Sequence, residues 1–161
     1  MKSSTGVKRM TEKEYSEQVQ GMYQSLWRVS YSILRNGADC DDAVQEALFR
    51  AWAHIDTLKD NRAFRPWLTR ILVNECKDTL RRRAHKQYVP LDAITDPIAK
   101  DVDMELHAAI MALPLDLRLP LTLHYAVGYS VKEMAKILSL PETTIYWRLR
   151  AARKKLRTDI I

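Results

Sequence analysis

The stretch SVKEMAKILSLPETTIYWRLRAARKKL, residues 130–156, decides the fold. Ser130 and Glu133 have the spacing at which a hydroxyl and a carboxylate cap a helix start reciprocally. They open a short helix with Val131, Met134, Ala135 and Leu138 inward. Ser139 and Glu142 repeat the spacing, with Pro141 in the first turn of a second helix. The buried stripe of that helix is Ile145, Leu149, Ala152 and Leu156, at offsets of four, three and four. Too few residues separate the two helices for them to lie antiparallel, so they cross at an angle as a helix-turn-helix. Thr143, Thr144, Tyr146, Trp147, Arg150, Arg153 and Lys154 are left on the outer face. A helix of this kind fits the major groove, its cations attracting phosphates and its first residues reaching base edges. An exposed Trp147 either stacks on a sugar or thymine methyl or docks against a protein. On these residues alone the pair is a duplex-binding module or a protein-docking bundle.

The charge pattern extends outward from this point. The 161 residues carry 26 Lys+Arg against 20 Asp+Glu, a net charge of +6. Residues 62–86 hold eight basic side chains against two acids, and residues 142–158 hold six against one. Between them, residues 88–120 hold six acids against two bases. Two basic helices around an acidic spacer point to two contacts on one polyanion. For either stretch alone, a solvated helix face explains the charge as well.

Upstream, apolar residues again recur at helical spacing. Tyr23, Leu26, Trp27, Ser30, Ile33 and Leu34 trace a first helix that Asn36-Gly37 should end. Asp39 is the expected N-cap of a second helix, which buries Ala43, Val44, Ala47, Leu48, Ala51 and Trp52. Its outer face, Asp42, Gln45, Glu46 and Phe49, combines acids with an outward aromatic, the composition of a docking patch as well as of plain surface. A third helix has Phe64, Trp67, Leu68, Ile71, Leu72 and Cys76 on its apolar face. Phe64 and Trp67 can stack on unpaired bases, although their position favours the core. Its outer stripe is Arg70, Asn74, Lys77 and Arg81. Residues 88–101 lose periodicity and contain two prolines, as a linker would. Leu106, Ala109, Ile110 and Leu113 form a fourth pattern halted by Pro114, and residues 116–127 a fifth, closed by Gly128.

The expected fold is therefore all-α, with two small helical domains joined by a flexible linker, the second containing the helix-turn-helix. The domains are residues 1–87 and 102–161, with 88–101 as a loose tether. No apolar run approaches the ~20 residues of a membrane span. The polar start, residues 1–9, is no secretory signal, so a cytoplasmic protein is expected. Cys40 and Cys76 match no ligand or redox spacing and read as reduced structural thiols. Four scattered histidines and the absence of a glycine-rich phosphate loop argue against an enzyme, a metal site, a cofactor or a small-molecule substrate. A stand-alone helix-turn-helix regulator is the alternative; it would leave the outer faces of helices two and three idle.

DCDDAVQEALFRAWAHID, followed by FRPWLTRILVNECKDTLRRR, resembles region 2 of bacterial sigma factors. ALPLDLRLPLTLHYAVGYSVKEMAKILSLPETTIYWRLRAARKKL resembles region 4. With a short linker in place of region 3, residues 20–157 resemble an extracytoplasmic-function (ECF) sigma factor. The resemblance implies a protein that binds core RNA polymerase and directs it to a two-part promoter. Asp42, Gln45, Glu46 and Phe49 would dock the polymerase clamp. Arg70, Asn74, Lys77, Asp78 and Arg81 would face the "−10" element. The loop Leu58, Lys59, Asp60, Asn61 and Arg62 would edge a pocket for a flipped non-template base. Thr143, Thr144, Tyr146, Trp147, Arg150, Arg153 and Lys154 would bind the "−35" duplex. An anti-sigma factor, often membrane-anchored, is the implied regulator. Tyr146 and Trp147 stand where relatives more often carry a basic residue and a serine, and Ala151 where they often carry arginine. A "−35" sequence unlike the family's common one is expected from this.

Overall fold

The structure, a computed structural model, describes residues 8–86 and 103–160. All the regular secondary structure in them is helical: α1 (Glu12–Leu34), α2 (Gly37–Ala53), α3 (Phe64–Ala84), α4 (Met104–Ala112), α5 (Leu115–Leu121), α6 (Val131–Leu138) and α7 (Glu142–Ile160), with short 3-10 and π turns between some of them. The expected linker lies outside the described residues.

The junction of α1 and α2 differs from expectation. Arg35, with φ 55°, takes the left-handed conformation that ends α1, and Gly37 is already inside α2. Asn36, not Asp39, caps α2, its side chain accepting the Asp39 N–H at 3.0 Å. Asp39 is thereby freed for an ion pair with Arg83 of α3, whose Nε donates to it at 3.0 Å. Arg83 also donates to the Leu34 carbonyl at 2.9 Å, one of the acceptors left without a partner where α1 stops. Tyr23, expected inward, is 42% exposed.

Helices α1, α2 and α3 enclose a core of Leu26, Ile33, Val44, Ala47, Phe64, Leu68 and Leu72, the residues that their periodicity selected. Leu48 and Trp52 are only half-buried at its rim. Cys40 and Cys76 are free, fully buried thiols. Burial raises both thiol pKa values, that of Cys40 to about 11.

In the second half, the Ser130 box is complete. Ser130 Oγ accepts the Glu133 N–H at 3.1 Å, and Glu133 Oε1 accepts the Ser130 N–H at 3.2 Å. The second box does not form. Ser139 sits at φ 54° as the left-handed cap of α6, and Pro141 lies just before α7 rather than inside it. A tight turn between crossing helices needs a left-handed residue, and that need overrides the N-capping tendency of serine. Pro120 lies within α5, and Thr122–Val127 continues as a π turn that Gly128, at φ 91°, terminates.

The two helical units are both present, but they are packed together rather than apart. Leu119, Leu123, Tyr129, Met134 and Ile137 join the core of the first three helices, and α6 lies on α3. Thr69 and Tyr129 share a buried hydroxyl–hydroxyl hydrogen bond of 2.6 Å. Arg118, 5% exposed, donates from Nε to the Ser32 carbonyl of α1 at 2.6 Å. Its Nη1 donates to the Leu113 carbonyl at 2.6 Å and the Met111 carbonyl at 3.3 Å, near the end of α4. A cation thus sits between two helix C-termini, where the helix dipoles favour it. Desolvation still lowers the Arg118 pKa to about 10.

Candidate nucleic-acid interface

On α7 the apolar stripe is buried: Ile145 and Ala152 have no exposed surface, and Leu149 is 2% exposed. Tyr146, at 59%, and Trp147, at 69%, therefore project outward with Thr143, Arg150, Arg153 and Lys154, while Thr144 is half-buried at the margin. No carboxylate pairs with Arg150, Arg153 or Lys154 among the described residues. Their charge is available to a polyanion.

On α3, Phe64 is 1% exposed, which makes it core, and Trp67 is half-buried at the rim with its ring centroid 6.0 Å from that of Phe64. Arg70, Asn74 and Arg81 are exposed on the opposite face, with Lys77 and Asp78 partly so. Asp78 pairs with Arg81 and offsets part of its charge. The α3 cations are not equivalent. Arg83 holds the α1–α2 junction, and Arg82 approaches Glu75 at 3.7 Å. Glu75 is a carboxylate only 3% exposed, and its Oε2 lies 3.4 Å from Arg50 of α2. Sequence reading could not separate these structural arginines from the outward ones.

The loop before α3 is shaped by Asp60, whose carboxylate accepts the Arg62 N–H at 2.9 Å and pairs with its guanidinium. Those contacts lower the Asp60 pKa and raise that of Arg62. Lys59, Asp60 and Arg62 are exposed, and Asn61 donates to the Lys8 carbonyl at 3.3 Å. Leu58 departs from its expected place at a base pocket: it is 6% exposed and packs into the core. Beside the loop, the residues lining an open cleft of about 420 Å³ include Met10, Glu14, Glu17, Gln18, Asn61 and Arg65, a grouping that no sequence pattern announced. On α2, Asp42, Gln45 and Glu46 are exposed and Phe49 is 73% so.

Residues 19–86 match the sigma-70 region 2 family and residues 103–156 match sigma-70 region 4. The ECF RNA polymerase sigma factor SigM of Mycobacterium tuberculosis is 30% identical over 138 residues, covering 83% of this chain and 70% of that protein. The chain is an ECF sigma factor.

As a sigma factor it directs RNA polymerase to promoters for transcription initiation, the family's role being direction rather than catalysis. Two solved structures share the sigma factor's fold. The sigma factor RpoE, co-crystallised with the anti-sigma factor NepR from Bartonella quintana, superposes with a TM-score of 0.81 at 25% identity, covering 92% of this chain and 97% of that one. CnrH in complex with the cytosolic domain of CnrY gives 0.70 at 26% identity, over 92% and 88%. No helix among the sigma factor's described residues is long and apolar enough to cross a membrane.

Proposed function

We propose that the two halves of this sigma factor divide its work. Residues 1–87 dock core polymerase and bind and melt the "−10" element; residues 102–161 bind the "−35" element as duplex. The outer face of α2, with Asp42, Gln45, Glu46 and Phe49, is the docking patch. The α3 stripe of Arg70, Asn74, Lys77, Asp78 and Arg81 tracks the "−10" strand, and the cleft beside Asn61 and Arg65 takes a flipped base. Helix α7 reads the "−35" groove through Thr143, Thr144, Tyr146, Trp147 and Arg150, with Arg153 and Lys154 on the backbone.

One observation carries this reading: both cationic faces and the acidic-aromatic patch are exposed, while most of the apolar stripe of each long helix is covered. The packed arrangement of the halves adds a condition. Elements about 25 base pairs apart lie roughly 85 Å apart at about 3.4 Å per base pair. A compact body of 161 residues has a radius of gyration of about 15 Å, too small to hold two faces that far apart. The halves must part before both elements are engaged together. An anti-sigma factor that holds them closed would silence the protein, and RpoE, of the same fold, is found with such a partner. We place the protein in the cytoplasm, beside the polymerase, with no enzymatic activity of its own.

The test combines the full chain, core polymerase and a library of promoter fragments. The expected result is polymerase-dependent melting at a recurrent "−10" sequence joined to a recurrent upstream duplex sequence. Duplex binding with no melting when core polymerase is added would overturn the proposal.

A further inference from the structure

Tyr125, in the π turn Thr122–Val127, is 58% exposed, and nothing in the sequence marks it as functional. Its Oη accepts a hydrogen bond from Arg153 Nη1 at 2.7 Å, across 28 residues of chain. The ring is not free to wander. It meets His124 edge-to-face with centroids 4.8 Å apart and planes at 80°. His124 Nδ1 lies 2.8 Å from the carbonyl oxygen of Tyr129, itself 4% exposed and anchored in the core.

The position of Arg153 defines what this pair can touch. It lies on the flank of the exposed α7 face, seven residues beyond Tyr146, or about 10 Å along the axis. The first turns of such a helix reach base edges, so a cation two turns further along faces the groove wall, where the phosphates are. Arg153 has no carboxylate partner among the described residues. After one N–H goes to Tyr125, its fork keeps four donors. The Tyr125 oxygen accepts in that bond, which leaves its own O–H free to donate.

We propose that Tyr125 and Arg153 form a two-donor phosphate clamp at the edge of the duplex read by α7. Tyr125 holds the guanidinium in place and donates its own O–H to the same phosphate. This rests on α7 being the duplex-reading helix. The competing account is a purely structural tie between the π turn and α7. An exposed neutral-acceptor hydrogen bond adds little to stability in water, whereas donors preset for a phosphate save ordering on binding.

The experiment measures binding of the full chain, at low salt, to two short duplexes of unrelated sequence. Wild type is compared with Tyr125→Phe, Arg153→Ala, the double variant and Arg150→Ala. The expected result is a loss of about three- to tenfold for Tyr125→Phe, equal on both duplexes as for a phosphate contact. The melting temperature should not move, and the loss should shrink in the Arg153→Ala background, where only the tyrosine's own donation remains. Wild-type affinity for Tyr125→Phe, a loss confined to one sequence, or a loss that persists undiminished without Arg153 overturns the clamp. If Arg150→Ala and Arg153→Ala also bind as wild type, the assignment of α7 to duplex falls with it. If Arg150→Ala weakens binding while Tyr125→Phe does not, only the clamp falls.

Discussion

Arg118 joins the two halves of the molecule through Ser32: its Nε donates to the Ser32 carbonyl at 2.6 Å across 86 residues of sequence. The same guanidinium satisfies carbonyls near the end of α4, so one buried cation organises the ends of two helices. Replacing it with methionine keeps an unbranched apolar stem, removes the guanidinium and strands those acceptors. The Arg118→Met chain should lose about 2–4 kcal/mol of stability in urea unfolding. Its radius of gyration in small-angle scattering should rise as α5 and α6 come away from α1 and α3. An unchanged radius would show that apolar contact alone holds the halves.

The Thr69–Tyr129 bond is the second polar link of that interface, and it is neutral. Tyr129→Phe should cost about 1 kcal/mol in the same unfolding measurement, the net worth of one buried hydrogen bond. Some of that cost is the hydroxyl of Thr69 left without its partner. Thr69→Val together with Tyr129→Phe should cost less than the sum of the two single changes.

Phe49 is 73% exposed and supports nothing beneath it. Phe49→Ala should leave stability within about 0.5 kcal/mol of the parent, as surface changes usually do. Association with core polymerase, read by co-elution or fluorescence anisotropy, should weaken clearly. Glu46→Lys should weaken it too, by reversing charge in the same patch. Glu46 also pairs with Arg50 at 3.1 Å, so Phe49→Ala is the cleaner of the two probes.

Arg150→Ala should weaken duplex binding by about 1–3 kcal/mol if the guanidinium is bidentate to a guanine, and relax the base preference there. Trp147→Ala should leave the fold intact and change which upstream sequence is selected from a random duplex pool. Recovery of the family's common "−35" sequence by the parent chain would refute the expectation that Tyr146 and Trp147 alter the reading surface.

Burial raises the Cys40 pKa from 9.0 to about 11, and Cys76 is raised as well. The folded protein should therefore resist alkylation at mildly alkaline pH, the thiols reacting only on unfolding. The sign of the linked stability follows. Between pH 9 and about pH 11 the unfolded Cys40 thiol ionises while the folded one stays neutral, so stability is intact below that window and falls across it. Alkylation at the rate of a free thiol in native buffer would contradict this.

Much of the candidate site's exposure was readable because helical periodicity assigns faces without reference to a partner. Ile145, Leu149 and Ala152 had to be inward, which left Trp147 and Arg150 outward. The same arithmetic placed Arg70 and Asn74 opposite Leu68 and Leu72. It failed where two elements meet. Thr69 and Val73, 1% and 0% exposed, belong to no apolar stripe of α3, because α6 covers that flank. Leu58 has the sequence position of a loop residue at a base pocket, yet tertiary packing draws it into the core. Ser139 has the sequence of an N-cap and the backbone of a C-cap.

What the chain alone determined is the local order: which segments are helices, which stripe of each is apolar, and where outward cations and acids gather. These follow from spacing along one strand of polymer, a property that survives without any neighbour. Only the folded molecule decided which arginines are surface and which are fasteners. Arg83 and Arg118 look no different in sequence from Arg81 and Arg150. A guanidinium becomes structural when the end of another helix presents unpaired carbonyls to it, and that meeting of distant segments is written in no local pattern.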